Sequence, residues 1–227
     1  SCHSEESVET VRQLAETADL AYLEAEIPKA IFETKDGVER VATIVRAMKN
    51  FAHQKISAEP EAADLNEALS STLTVARSMV KYVAEVETDL GSLPPVMCHI
   101  DELNQVFLNL IVNAAHAIED VVGTSGEMGR IVIRTRQEGE VVVISISDKG
   151  SGIPPEVRAR IFDPFFTTKA VGRGTGQGLS IAHSIVVEGH GGRLAFETEV
   201  GRGTVFLIHL PVAGAAHRAV EGVASVA

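Results

Sequence analysis

Cysteine is almost missing. Only Cys2 and Cys98 occur in 227 residues, far apart and in no metal-ligand spacing, which reads as two free thiols in a reducing compartment. Long apolar runs are missing too: none approaches the ~18 residues that a membrane span needs. Ser1 opens a polar, acidic stretch and not a signal peptide. There is no initiating methionine, and the chain is expected to be a fragment of something longer. Basic residues are in deficit, with 20 Lys and Arg against 31 Asp and Glu, a formal net charge of −11. That argues against non-specific nucleic-acid binding, which runs on phosphate neutralisation, though a local basic cluster could still hold a phosphate. Aromatics are scarce at 4%, with no tryptophan. What is present is ordinary for a soluble globular protein: 45% hydrophobic and 22% charged residues, in a length sufficient for one full-sized domain and a smaller element.

Residues 1–53 read as a helical stem. Ile27, Ile31, Thr34, Val38, Val41, Val45, Met48 and Ala52 step alternately by four and three, a heptad seam. Val8, Val11, Ala15, Ala18 and Tyr22 repeat it more weakly. Pro28 marks either a new helix start or a kink. So narrow a seam needs a partner, either a second subunit or the chain's own globular domain. Residues 54–62 read as a polar linker, 63–211 as the main domain and 212–227 as a loose tail. Within the main domain, Asp64 is a candidate N-cap for a helix to Lys81, with Glu67 as its capping-box partner. Strands are expected at 82–88, 96–98, 130–136, 141–147, 193–198 and 204–210. Helices are expected at 101–119, apolar on nearly all sides, and at 178–188. The class is α+β: a two-layer α/β sandwich with helices on one side of a mixed sheet, behind a coiled-coil-like stem.

Four groups of residues carry chemistry. Asn109 and Asn113 lie four apart on the buried helix, on one stripe with Val106 and His116. Buried amides need partners, which are either neighbouring backbone or a cation and phosphates. Asp148 continues the face of Val142, Ile144 and Ile146, so its carboxylate points into the core layer and must find a donor there. Gly150 and Gly152 follow, allowing a sharp turn or close approach of a flat ligand. Phe162-Asp163-Pro164-Phe165-Phe166 concentrates three of the eight phenylalanines in one loop. Lys169 and Arg173 close behind can reach phosphates. Gly174-Thr175-Gly176-Gln177-Gly178-Leu179 then opens a helix, whose first amides attract phosphate. It is not a Walker A loop, since no Lys-Ser/Thr pair follows the last glycine.

In this order the groups resemble the four boxes of the ATP-binding domain of bacterial sensor histidine kinases, which has the Bergerat fold. The resemblance covers about residues 62–211, with His190-Gly191-Gly192 and Gly201-Arg202-Gly203-Thr204 similar to the family's closing elements. It implies the cofactors ATP and Mg²⁺. Asp148 would accept the adenine amino group, Gly152 would give the base room, and Gly150, Ile153 and Thr204 would complete the pocket. Asn113, with Asn109 nearby, would bind Mg²⁺, and His116 would touch phosphate. Phe162 to Gly174 would form a lid with Lys169 and Arg173 near the γ-phosphate, and the Thr175–Leu179 segment would meet the phosphates. Ala117 stands where many relatives carry an adenine-stacking Tyr.

Gyrase, mismatch-repair and chaperone ATPases share this fold but place Glu four residues before the metal-binding Asn. Here that residue is Asn109, and an amide is no general base. ATP is therefore expected to be held for transfer, which needs mainly positioning and charge stabilisation. Relatives phosphorylate a His followed by Glu or Asp. The eight histidines here precede Ser, Gln, Ile, Ala, Ser, Gly, Leu and Arg. The acceptor is thus expected upstream of Ser1, and 19–51 resembles the second stem helix of the dimerisation and phosphotransfer domain. The implied partners are a second copy through the stem and a response-regulator receiver domain, with no nucleic acid and no membrane contact from this segment. The implied compartment is the cytoplasm, for a parent that is either membrane-bound or soluble. The alternatives are a degenerate nucleotide-binding scaffold and an anti-sigma-type serine kinase.

Overall fold

Alternation of apolar and polar residues builds a five-stranded sheet in the computed structural model, which describes residues 59–123, 127–169 and 174–214, with Asp19, Tyr22, Glu24, 26–31, Glu33 and Thr34. By contacts the chain divides into two units, 1–52 with 169–173 and 53–168 with 174–227. In the first, the described residues from Tyr22 to Thr34 are helical and 26–31 run unbroken through Pro28. Asp19 accepts the amide of Tyr22 at 3.3 Å. The seam residues Ile27 and Ile31 are 52% and 63% exposed. The rest of the predicted seam, Val38 to Ala52 and the Val8 to Ala18 repeat, lies outside the described residues.

The second unit begins with β1 (Glu61–Ala63) and α1 (Leu65–Val80), followed by β2 (Ala84–Leu90), β3 (Val96–Cys98) and α2 (Ile100–Val122). The hairpin β4 (Gly129–Glu138) and β5 (Val141–Asp148) comes next, then a 3-10 turn at Pro155–Arg160. The unit closes with α3 (Gly178–Ser184), a π turn at Ile185–Gly189, β6 (Arg193–Glu199) and β7 (Gly203–Pro211). The sheet order is β2-β4-β5-β7-β6, with β2 parallel to β4 and the other pairs antiparallel. A parallel pair needs a crossover, and α2 lies in it, which puts the apolar helix on the sheet. Leu103, Val106, Phe107, Leu110, Ile111 and Ile118 of α2 are fully buried. They meet Ile131, Ile133, Ile144, Ile146 and Ile208 of the strands in one core. Each such side chain contributes about 1.5–3 kcal/mol.

The Asp64 cap is present: its Oδ1 accepts from the amides of Asn66 at 2.8 Å and Glu67 at 3.2 Å. Three boundaries differ from the sequence reading. Glu61 and Ala62, read as linker, pair with Cys98 and Met97. Val212, read as tail, accepts from the Met97 amide at 3.0 Å and donates to the Glu140 carbonyl at 2.9 Å. The helix expected over 178–188 changes to a π turn after Ser184.

His190 sits at the end of that turn, 3% exposed. Its Nε2 accepts the His99 amide at 3.0 Å, so Nδ1 carries the proton and donates to the Ile185 carbonyl at 2.8 Å. Burial lowers its pKa from 6.5; Ile185 and Glu102 pull upward and His99 downward. A neutral native imidazole contributes stability that is present above the unfolded value and lost as pH falls through the lowered native one. Melting temperature should therefore drop below about pH 6.5. In His190→Gln, which has no titrating ring, that acid slope should shrink.

Candidate functional site

The strand face of β5 delivers Asp148 to the core side, where it is 5% exposed. Its Oδ1 accepts from the amides of Gly150 at 2.8 Å and Thr204 at 3.2 Å. Burial raises the carboxyl pKa above its ordinary value, and the two amide bonds pull it back. Both amides meet Oδ1, and among the described residues no hydrogen bond to Oδ2 accompanies them. A buried carboxylate with one oxygen fixed and the other open is a receptor for a ligand N–H.

The loop after Asp148 is tied on two sides. The Ser151 amide donates to the Ala117 carbonyl of α2 at 3.1 Å. The Ile153 amide donates to Thr198 Oγ1 of β6 at 2.9 Å. Gly152 has φ +72°, and a Cβ there would lie 2.3 Å from the Glu199 carbonyl oxygen. Its bare α-carbon is thus required by the chain's own backbone. Ala117 likewise acts through its backbone, by holding Ser151.

At the other end of the helix stripe, Asn109 Nδ2 donates to the Gly178 carbonyl at the start of α3, at 3.2 Å. Asn113 lies one turn from each end, with His116 beside it. The span from Asn109 to Ala117 is ~12 Å at 1.5 Å per residue. Gly174 to Leu179 form the turn into α3; Thr175 Oγ1 accepts the Gln177 amide at 3.4 Å. Among the described residues, Gln177 Oε1 is buried without a hydrogen-bond partner. Gly176, at φ +65°, packs on the Phe165 backbone, which joins this turn to the phenylalanine loop.

Phe162 anchors that loop. Its ring lies 4.9 Å from His183 and 5.9 Å from Phe196, between centroids. Phe166 sits under the Arg160 guanidinium at 4.5 Å, whereas Phe165 is 70% exposed. The ring of Phe162, at the start of the expected lid, thus docks the loop on the body. Lys169 falls in the unit with 1–52. Arg173 lies outside the described residues.

Two residues escaped the sequence reading. Thr198 accepts Ile153, donates to the Gly203 carbonyl at 3.1 Å and lies 3.0 Å from Thr204 Oγ1. It continues the inward parity of Leu194 and Phe196, the signal that identified Asp148. Arg158 donates to the carbonyls of Ile153 at 3.0 Å and Thr198 at 3.4 Å; no local pattern marks it.

The donor set suits a magnesium nucleotide. Among the described residues no three His, Cys, Asp or Glu side chains gather as for a metal ion held by protein alone. Mg²⁺ instead takes hard oxygens, mostly from water and phosphate, beside one or two protein ligands. Asn113 and Asn109 can supply amide oxygens of that kind.

Residues 98–214 match the family described as histidine kinase-, DNA gyrase B-, and HSP90-like ATPase. The sensor kinase CckA of Brucella abortus is 36% identical over 197 residues, 80% of this chain and 20% of that protein. The catalytic domain of histidine kinase ThkA superposes with a TM-score of 0.59 at 30% identity, over 69% of this chain and 99% of that one. ThkA in complex with response regulator protein TrrA gives 0.63 at 27% identity, over 79% of this chain and 49% of that one. The chain spans 20% to 45% of the first curated relatives it matches. By its matched residues, sheet order and site, this chain belongs to the histidine kinase-, DNA gyrase B-, and HSP90-like ATPase family, as an ATP-binding domain of the bacterial sensor kinase type.

Proposed function

We propose that this chain is the catalytic half of a protein-histidine kinase. It binds Mg-ATP and presents the γ-phosphate to a histidine supplied by another segment or chain, for relay to a response-regulator aspartate. The observation that carries the reading is Asn109, an amide bonded to Gly178 O where a hydrolase of this fold would hold its water-activating Glu. Without that base, bound ATP waits for a better nucleophile than water.

In this reading Asp148 Oδ2 receives the adenine amino group, and the backbone of Gly150 to Ile153 forms one wall. Asn113 and Asn109 hold Mg²⁺, which supplies charge stabilisation on the phosphates. His116 lies towards the phosphates, and the amides of 176–178 face them at the mouth of α3. The phenylalanine loop, pinned by Phe162, excludes water. A γ-phosphate role for Lys169 and Arg173 rests on the family resemblance alone. In this reading the chain divides into a stem over 1–53, a linker that ends before Glu61, and an ATP-binding domain that takes in Glu61 and Ala62 at its start and Val212 at its end. The stem pairs with a second copy. The ThkA–TrrA complex supports a receiver domain as the phosphate's next stop, and the reading places the reaction in the cytoplasm.

The test is phosphotransfer. With radiolabelled ATP alone, this chain should acquire no acid-labile phosphate. With a separately supplied helical hairpin from a sensor kinase carrying a His-Glu acceptor, that hairpin should become labelled. Acid-labile label on this chain alone would place the acceptor among its own histidines. ATP turnover to free phosphate as fast as transfer would contradict the kinase reading.

A further inference from the structure

Thr198 makes three hydrogen bonds with one hydroxyl. A hydroxyl has one proton to give and two lone pairs to receive with. The Gly203 carbonyl can only accept, so the proton of Thr198 goes there, at 3.1 Å. The Ile153 amide can only donate, and fills one lone pair at 2.9 Å. The contact to Thr204 Oγ1, at 3.0 Å, must then run from Thr204 to Thr198. Thr198 is saturated, and the only proton on the Thr204 hydroxyl is spent on it. What Thr204 has left is lone pairs. Its neighbour Asp148, reached through the Thr204 amide at 3.2 Å, also offers only an acceptor while ionised. Thr204 is 4% exposed, so water has little access to reverse this order.

We propose that Thr198 is a specificity-determining positioning residue: it fixes the proton direction of the Thr204 hydroxyl, so that the pocket floor accepts but does not donate, and selects a 6-amino purine over a 6-keto purine. This rests on the nucleotide reading above. An exocyclic amino group brings protons to two acceptors, whereas a keto oxygen would meet lone pairs. Arg158 reinforces the arrangement by holding the Ile153 and Thr198 carbonyls, at 3.0 and 3.4 Å, which keeps the Ile153 amide on Thr198. Thr198→Val keeps the shape and removes the hydroxyl. Thr204 is then free to turn its proton toward the ligand and satisfy a keto group.

The experiment measures the affinities of Mg-ATP and Mg-inosine triphosphate, which differ at N1 and C6, by displacement of a fluorescent ATP analogue. Wild type should prefer ATP, and Thr198→Val should narrow that preference by roughly tenfold, the worth of one mismatched hydrogen bond. Thr198→Ser, which restores the hydroxyl, should keep it. Thr204→Val removes the ligand-facing acceptor itself without disturbing the Ile153 or Gly203 bonds, and should also narrow the preference; it decides the matter if Thr198→Val does not fold. Equal weakening of both nucleotides in Thr198→Val, with the ratio intact, would make Thr198 merely structural and overturn the proposal, as would an intact ratio in Thr204→Val. A wild type that binds both nucleotides equally overturns it while leaving the nucleotide site standing. A wild type that binds neither overturns that reading and the proposal with it.

Discussion

Asp148→Asn lowers affinity for a Mg-bound ATP analogue by roughly 10- to 150-fold in calorimetric titration, with no fall in melting temperature at neutral pH. The loss is that of one charge-assisted hydrogen bond, about 1.5–3 kcal/mol. Asn keeps an oxygen for the Gly150 and Thr204 amides that now meet Oδ1, so the loop stays in place. It loses the open carboxylate oxygen and puts an NH₂ group opposite the ligand's own donor. Stability should move the other way, because burial raises the Asp148 pKa. For an acid with a raised native pKa, the folded state is penalised as pH climbs from the unfolded value through the native one. Asn carries none. The variant should match or exceed wild type in melting temperature at pH 7, and any excess should vanish as pH falls far enough to protonate Asp148. Unchanged affinity would remove Asp148 from the ligand's contacts.

The second large effect is Gly203→Ala, one position before Thr204. Gly203 has φ +116°, and a Cβ would stand 2.0 Å from the Asp148 carbonyl oxygen. Backbone strain and a clash between β7 and the end of β5 add, so urea unfolding should show a loss on the order of 3–5 kcal/mol. Gly201, in the same turn at φ +78°, is the control: a Cβ there meets nothing within 4 Å. Gly201→Ala should cost only the left-handed conformation, about 1–2 kcal/mol. If the two variants unfold alike, the close approach of Gly203 to Asp148 is not what holds this end of the site.

Much of this was legible from residue order, for physical reasons that differ by element. The faces of β5 and α2 follow from periods of two and 3.6, which place Asp148 inward and Asn109, Asn113 and His116 on one stripe. The Asp64 cap followed from a carboxylate standing before an apolar run. β1 escaped because three residues paired only with β3 carry no pattern of their own. The π turn escaped because its cause is remote: the His190 ring takes the Ile185 carbonyl and the His99 amide from another element. Thr198 was readable by the parity that found Asp148, but a threonine in a strand is ordinary until its partner Thr204 is known to lie opposite. Arg158 had no signal, since it acts through carbonyls brought together only by folding.

The central claim is that Asp148 at one end and Asn109 with Asn113 at the other enclose a single purine-triphosphate site. A crystal structure of this chain with Mg²⁺ and a non-hydrolysable ATP analogue tests it most directly. The adenine amino group should lie within hydrogen-bond distance of Asp148 Oδ2, with the metal on the Asn113 side chain. A nucleotide bound elsewhere, or one whose base points away from Asp148 while its phosphates avoid both asparagines, would contradict it.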